Sequence, residues 1–441
     1  MKWFFFIVLG GASWALRVLG AGIVEDSSGS ALLALGCLVL GGLLAGEFAA
    51  RFHLPRVTGY LILGMLAGPY ALGLETLGDA QFLHLFEELA LGLIALTAGG
   101  ETEIVTFRKN LRLIGGIIGS HLLMLPLAGF ILWIFLGHST ALGSLNQAQL
   151  LAACALLATI AIANSPSTTI AVITELKAKG PLTETVLGVT ILKDMVILLL
   201  FTWVNVMAHA WVETIPVDLH LLGEVGLEIV FSLGLGVLLG LLLGLYMRRV
   251  GLYLPLVVLA LALVSVEMAA SFRLEHLLIC MAAGFIVRNV YPREAEEFLE
   301  ALEQSSPPIY IIFFALVGGN LNLGILKLMW VPALFYVLLR LGLTWALTTF
   351  PAVLNHAGEA VRKRAWMGFV AQAGLSLGLA ARIGREMPGF GEKIALLIVA
   401  GVVINQLLGP VLWAQAITRS GESNLAPRSD DGMACGLGKL N

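Results

Sequence analysis

The sequence predicts an all-α polytopic membrane protein of thirteen to fourteen transmembrane helices. Three observations lead there. Hydrophobic residues make up 59% of the 441 positions and charged residues only 12%, against about 25% charged in soluble domains; mean hydropathy is +0.93. Apolar runs approaching the ~20 residues that a spanning helix needs recur along the whole chain. Basic residues gather in alternate connections, the signature of a fixed orientation in a bilayer.

Fourteen runs lie near 3–23, 31–50, 57–73, 83–100, 113–137, 149–174, 184–211, 221–246, 254–270, 276–290, 307–323, 329–352, 365–384 and 394–418. The first begins with Lys2 and is interrupted by Arg17. It reads as a retained peripheral helix, with a signal segment as the alternative. The even-numbered runs up to the twelfth end in Arg51/Arg56, Arg108/Lys109/Arg112, Lys177/Lys179, Arg248/Arg249, Arg288/Arg293 and Arg362/Lys363/Arg364. Most of the intervening loops are poor in basic residues. Arg382, Arg385 and Lys393 break the alternation. The pattern puts the C-terminus in the cytoplasm. Connections are short, and the polar tail from Ser420 is expected to be disordered.

Composition also excludes. A net charge of −3 points to no nucleic acid. Cys37, Cys154, Cys280 and Cys435 are scattered without metal spacing. No Walker A or HExxH stretch appears, which argues against an ATP-driven pump or an intramembrane metalloprotease; no nucleophile–base pair or metal cluster speaks for an enzyme, and no cofactor is implied. The 50 glycines read mainly as close helix packing.

Within the apolar run from Val186 to Trp203, Lys193 and Asp194 sit side by side. Each charge costs roughly 2.5–3.5 kcal/mol at the centre of a spanning helix. Such a pair lines a wet cavity, is internally paired, or carries ions. One helix earlier, Asn164-Ser165-Pro166-Ser167-Thr168-Thr169 interrupts the sixth run. Proline removes a backbone donor and Asn and Ser compete with the helix ladder, so the stretch reads as a helix broken at midplane, with carbonyls free to bind a cation; a plain proline kink is the alternative. Gln372-Ala373-Gly374-Leu375-Ser376 is a second candidate break, close helix packing being nearly as good an account. Arg340 lies too deep to reach either surface easily, and reads as a counter-charge for the site or as half of a structural ion pair. Glu101 and Glu267 read as structural partners for Lys193 or Arg340, and Glu103 as a solvated charge. His84, His121 and His276 read as satisfied or interfacial rather than ligating.

These residues, in this order, resemble the monovalent cation/proton antiporter superfamily, in the branch of bacterial Na+/H+ and K+/H+ antiporters. The resemblance runs through Thr58-Gly59-Tyr60 to Gly68-Pro69, Leu91 to Glu101, Asn164 to Thr169, Gly188 to Asp194, Ala283-Gly284, Phe313 to Gly319 and Arg340. It implies two inverted repeats with crossed discontinuous helices, at 149–174 and 365–384, and an elevator-like core moving against a dimerisation scaffold. The implied division is a peripheral or signal segment over 1–30, scaffold over 31–112, core over 113–212, linker helix and scaffold over 213–328, core over 329–418, and a tail over 419–441. Asp194 maps onto the carboxylate that exchanges cation for proton, and Arg340 onto the family's basic residue. Three positions depart from the pattern: Gly100, Lys193 and Gln372-Ala373-Gly374. No nucleotide-binding regulatory domain is expected after Thr418.

The mechanism expected is competition of H+ and a monovalent cation, Na+ or K+, for Asp194, with Thr168, Ser165, Asn164, Thr190 and freed carbonyls completing the site. Lys193 sets the charge count. Permanently protonated, it leaves exchange electroneutral; releasing a proton, it makes exchange electrogenic; occupying Asp194, it makes the protein a sensor or a carrier of something else. An organic-anion carrier using Lys193 and Arg340 is the competing class. The expected setting is the inner membrane, with a homodimer in the bilayer.

Overall fold

The computed structural model describes residues 27–52, 54–68, 70, 77–137, 145–213, 220–319, 321, 323–387 and 390–424. The first apolar run, Pro69 and the tail beyond residue 424 lie outside them. All regular structure among the described residues is helical: α1 Ser27–Arg51, α2 Arg56–Ala67, α3 Leu77–Glu101, α4 Ile104–Leu122, α5 Met124–Gly137, α6 Gln147–Ile162, α7 Pro166–Leu176, α8 Pro181–Glu213, α9 His220–Arg249, α10 Leu254–Phe272, α11 His276–Val290, α12 Ala295–Gly319, α13 Leu323–Leu354, α14 Glu359–Arg364, a 3-10 turn Ala365–Phe369, α15 Gly374–Glu386 and α16 Gly391–Ser420. Among these residues, seven helices or paired helices are long and apolar enough to cross a bilayer; Arg56–Ala67, His276–Val290 and Pro308–Gly319 are shorter apolar helices.

Helix starts differ from the hydropathy reading where polar turns precede the apolar stretch. α12 begins at Ala295 rather than near 307, because Glu296 and Glu297 occupy its first turn, where negative charge suits the helix dipole. The run near 113–137 is two helices, α4 starting at Ile104 and α5 at Met124. Pro126 has no N–H to give the preceding turn, and the Ser120 hydroxyl ties the bend to the Leu347 carbonyl on α13.

Two sets of helices pack mainly within themselves. One comprises α1–α3 and α9–α12, the other α4–α8 and α13–α16. Glycine permits the closest approaches. A Cβ on Gly64 would run into the backbone of Ala315, and one on Gly318 into that of Leu61, so α2 and α12 touch backbone to backbone. Gly99 and Gly284 do the same for α3 and α11.

The helix that carries Asp194, α8, is capped from the far end of the chain. Glu422 Oε1 accepts from the Leu182 N–H at 2.8 Å, and Oε2 from the Thr183 N–H at 2.8 Å and hydroxyl at 2.7 Å. These groups are otherwise orphaned at a helix N-terminus. Replacing Glu422 by Ala is expected to lower stability by about 1–2 kcal/mol. A drop in the thermal unfolding midpoint of the detergent-purified protein checks it; an unchanged midpoint shows the cap to be dispensable.

Candidate functional site

Two helices are broken, and their breaks face each other. α6 ends at Ile162, and Ala163 and Ser165 are extended (φ −60°, ψ 143° and φ −97°, ψ 108°). Pro166 then opens α7, a first-turn position where its missing N–H costs nothing. In the second break, Val370–Ala373 separates the 3-10 turn from α15. The Ser165 N–H donates to Ala371 O at 2.8 Å, and Gln372 Nε2 donates to Ile160 O at 2.9 Å. Asn405 in turn donates to Gln372 Oε1 at 2.9 Å.

Arg340 joins the breaks. Its guanidinium, 1% exposed, donates to Ala161 O (3.0 Å), Ala163 O (2.7 Å), Phe369 O (2.8 Å) and Val370 O (2.8 Å). Four carbonyls left over where the helix ladder stops thus converge on one planar, five-donor cation. A cation at these two C-terminal ends also complements their dipoles. No carboxylate pairs with it among the described residues.

Asp194 and the first break share a cavity of about 410 Å³, whose polar lining includes Asn164, Ser165, Ser167, Asp194, Glu88, Glu275 and His276. Asp194 Oδ1 and Asn164 Oδ1 are both buried and have no hydrogen-bond partner. The Asn164 amide is oriented by Thr190, to whose hydroxyl Nδ2 donates at 3.2 Å, leaving its oxygen unused. Unsatisfied buried oxygens are uncommon and expensive; a cluster of them in a cavity wall is a donor set for a cation. The polar rim is supplied by α3 and α11. His276 Nδ1 is 3.1 Å from Glu88 Oε2. Glu275, in the connection between α10 and α11, has its carboxyl pushed up to about 7 by burial beside Glu228 and Glu88, so its charge is lost as pH falls through neutrality. A second cavity, of about 150 Å³, includes Glu101, Glu103, Lys179 and Arg288 in its lining and does not include Asp194.

The remaining expected residues divide. Ser165 lines the Asp194 cavity, whereas Thr168 is buried against α16, receiving Gln406 Nε2 at 3.1 Å and the Ser165 hydroxyl at 2.9 Å. Lys193 faces away from both cavities, with Nζ 3.3 Å from His121 Nδ1 and 4.6 Å over the Phe369 ring. Glu101 and Glu267 are not partners of Lys193 or Arg340. Glu101 is in the wall of the second cavity, and Glu267 is exposed on α10, in the other set of helices. Glu103 is half exposed, as a solvated charge, and also pairs with Arg288. His121 and His276 are satisfied rings, His121 bonding Thr348 and Lys193 and His276 bonding Glu88; the His84 side chain lies outside the described residues.

Several contributors escaped the sequence reading. Asn405-Gln406 is a polar pair inside an apolar run and was legible as such; it supports Gln372 and Thr168. Tyr336, which donates to Leu157 O at 3.1 Å, carried no signal beyond lying one turn before Arg340. Glu88 and Glu275 sit at or near the ends of runs, where a carboxylate is usually a solvated group.

Known proteins give the arrangement its context. A family model described as sodium/hydrogen exchanger, transmembrane, matches residues 34–416. A probable Na(+)/H(+) antiporter of Bacillus cereus, GerT, is 24% identical over 166 residues, covering 36% of this chain and 40% of that relative's length. Two structures of the sodium proton antiporter MjNhaP1 from Methanocaldococcus jannaschii superpose with TM-scores of 0.64 (pH 8) and 0.65 (electron microscopy). Their sequences are 15% and 16% identical to this chain, and the matches cover 88% and 89% of it and 97% and 98% of theirs.

Proposed function

This chain belongs to the sodium/hydrogen exchanger family, and from that premise we propose that it is a secondary antiporter exchanging a monovalent cation, Na+ or K+, for H+ at Asp194. The observation that carries the proposal is the unpartnered Asp194 Oδ1 in a cavity wall, beside the unpartnered Asn164 Oδ1. One carboxylate takes either a proton or a metal ion, and each ligand excludes the other. Asp194 together with the Asn164 oxygen makes the cation site; Thr190, Arg340 and Gln372 hold its walls.

Orientation follows from the basic loops. The inner membrane is the setting, the C-terminus is cytoplasmic, and the Asp194 cavity, which lies at the Glu275 end, faces outward. The second cavity lies at the basic, cytoplasmic end. Access from one side at a time is what an exchanger needs. The set α4–α8 with α13–α16 is the moving core, and α1–α3 with α9–α12 the scaffold, in a homodimer as the family resemblance implies. Lys193 lies outside both cavities, so one proton exchanges for one cation and transport is electroneutral.

A screen of Li+, Na+, K+ and Rb+ against an imposed pH gradient in proteoliposomes tests this. Na+ or K+ is expected to drive proton movement without current. A pH gradient unaffected by every alkali cation overturns the proposal, and a current that follows the cation jump overturns electroneutrality.

A further inference from the structure

Taking Asp194 as the cation site, as proposed above, we infer that His121 is a positioning residue for it: with Phe369, it holds the Lys193 amine away from the neighbouring carboxylate and so keeps that carboxylate open to the transported ion. Adjacent residues on a helix point about 100° apart. That angle does not by itself separate Lys193 from Asp194, because a lysine ends in a compact charge on a flexible four-carbon stem. Opposite charges a few ångströms apart attract, and more strongly where bulk water is excluded. Left free, the ammonium would settle on Asp194 as a tethered cation. Yet among the described residues no ion pair joins Lys193 to Asp194 or to any other carboxylate.

The restraint is visible on α4, α13 and the 3-10 turn. Lys193 Nζ is 3.3 Å from His121 Nδ1. His121 Nε2 is 2.9 Å from the Thr348 hydroxyl. The network closes when Nε2–H donates to Thr348, which leaves the Nδ1 lone pair to accept from the ammonium. Phe369 completes the pocket. Its ring face lies 4.6 Å below Nζ, a favourable seat for a cation, and it meets the His121 ring at 89° with centroids 5.4 Å apart. His121 and Lys193 are each 1% exposed, and neither lines the Asp194 cavity or the second cavity. All four residues belong to the helix set that contains Asp194, so the restraint travels with the site.

The test measures cation KM and kcat for exchange in proteoliposomes at fixed pH. His121→Leu releases the amine, which then competes with the ion at the millimolar effective concentrations of a short tether, so KM is expected to rise about tenfold with kcat little changed. The double variant H121L/K193M removes the competitor and is expected to bring KM back towards wild type. His121→Asn keeps an acceptor near the Nδ1 position and is expected to hold KM close to wild type. Should H121L not fold, Thr348→Val frees the ring instead, with a smaller rise in KM that Lys193→Met again reverses. A wild-type KM in H121L overturns the inference, as does a raised KM that Lys193→Met does not reverse. An Asp194→Asn control separates the two levels: if it exchanges like wild type, the premise fails; if it is inactive while H121L keeps a wild-type KM, only the positioning role fails.

Discussion

Replacing Asp194 by Asn is expected to reduce cation-dependent proton movement to the level of protein-free vesicles. The substitution is nearly isosteric, so it changes charge and protonation while leaving the cavity wall in place. An amide cannot bind and release a proton in the working pH range, and it offers a cation a dipole in place of a full charge. Both halves of the exchange therefore stop together, which distinguishes this variant from one that only weakens binding. Asp194→Glu keeps the charge but moves it by a methylene relative to Asn164, and is expected to retain exchange with a changed cation preference. Dye-reported pH changes in proteoliposomes, run beside a thermal melt, measure both. An Asn variant that folds and still moves protons on addition of Na+ or K+ would place the exchanging group elsewhere.

Arg340→Met is expected to cost at least about 3 kcal/mol of stability, because it strands buried carbonyls that each carry a penalty of about 1–3 kcal/mol when left unpaired. Methionine fills much of the volume, so the loss isolates the four hydrogen bonds rather than a cavity. Arg340→Lys keeps the charge but has three donors at one point for four carbonyls on two breaks, so it is expected to fall between. The thermal midpoint and the yield of monodisperse protein report the effect, and exchange is expected to fail with it, since the same carbonyl ends set the position of Asn164. A wild-type midpoint in the Met variant would mean that Gln372 and the Ser165 N–H alone hold the breaks together.

Some of this was plain from the chain. A proline preceded by Asn and Ser in an apolar run marks a weak point in a helix, and α6 and α7 part at that place, whereas Pro332, Pro351 and Pro410 lie within α13 and α16. Lys193-Asp194 stands out because a bilayer makes every buried charge expensive. Arg340 was visible for the same reason, but its partners were not. They lie up to 179 residues away along the chain, and they are carbonyls, which every residue has. Glu101 and Glu267 were natural guesses for a buried arginine, since a carboxylate is the usual partner; the fold put both beyond its reach and supplied broken helix ends instead.

Membership of a membrane-spanning helical class, the place where the first break could fall and the identity of the costly charges were legible in the sequence itself, because the solvation cost of a group in hydrocarbon is a property of that group and its immediate neighbours. Which way Lys193 points, what Arg340 holds, and how Glu88 comes to face His276 were decided only in the tertiary structure. Those are pair interactions between distant helices, and their energies fall off within a few ångströms, so only the packing of glycine-lined backbones fixes which pairs come that close.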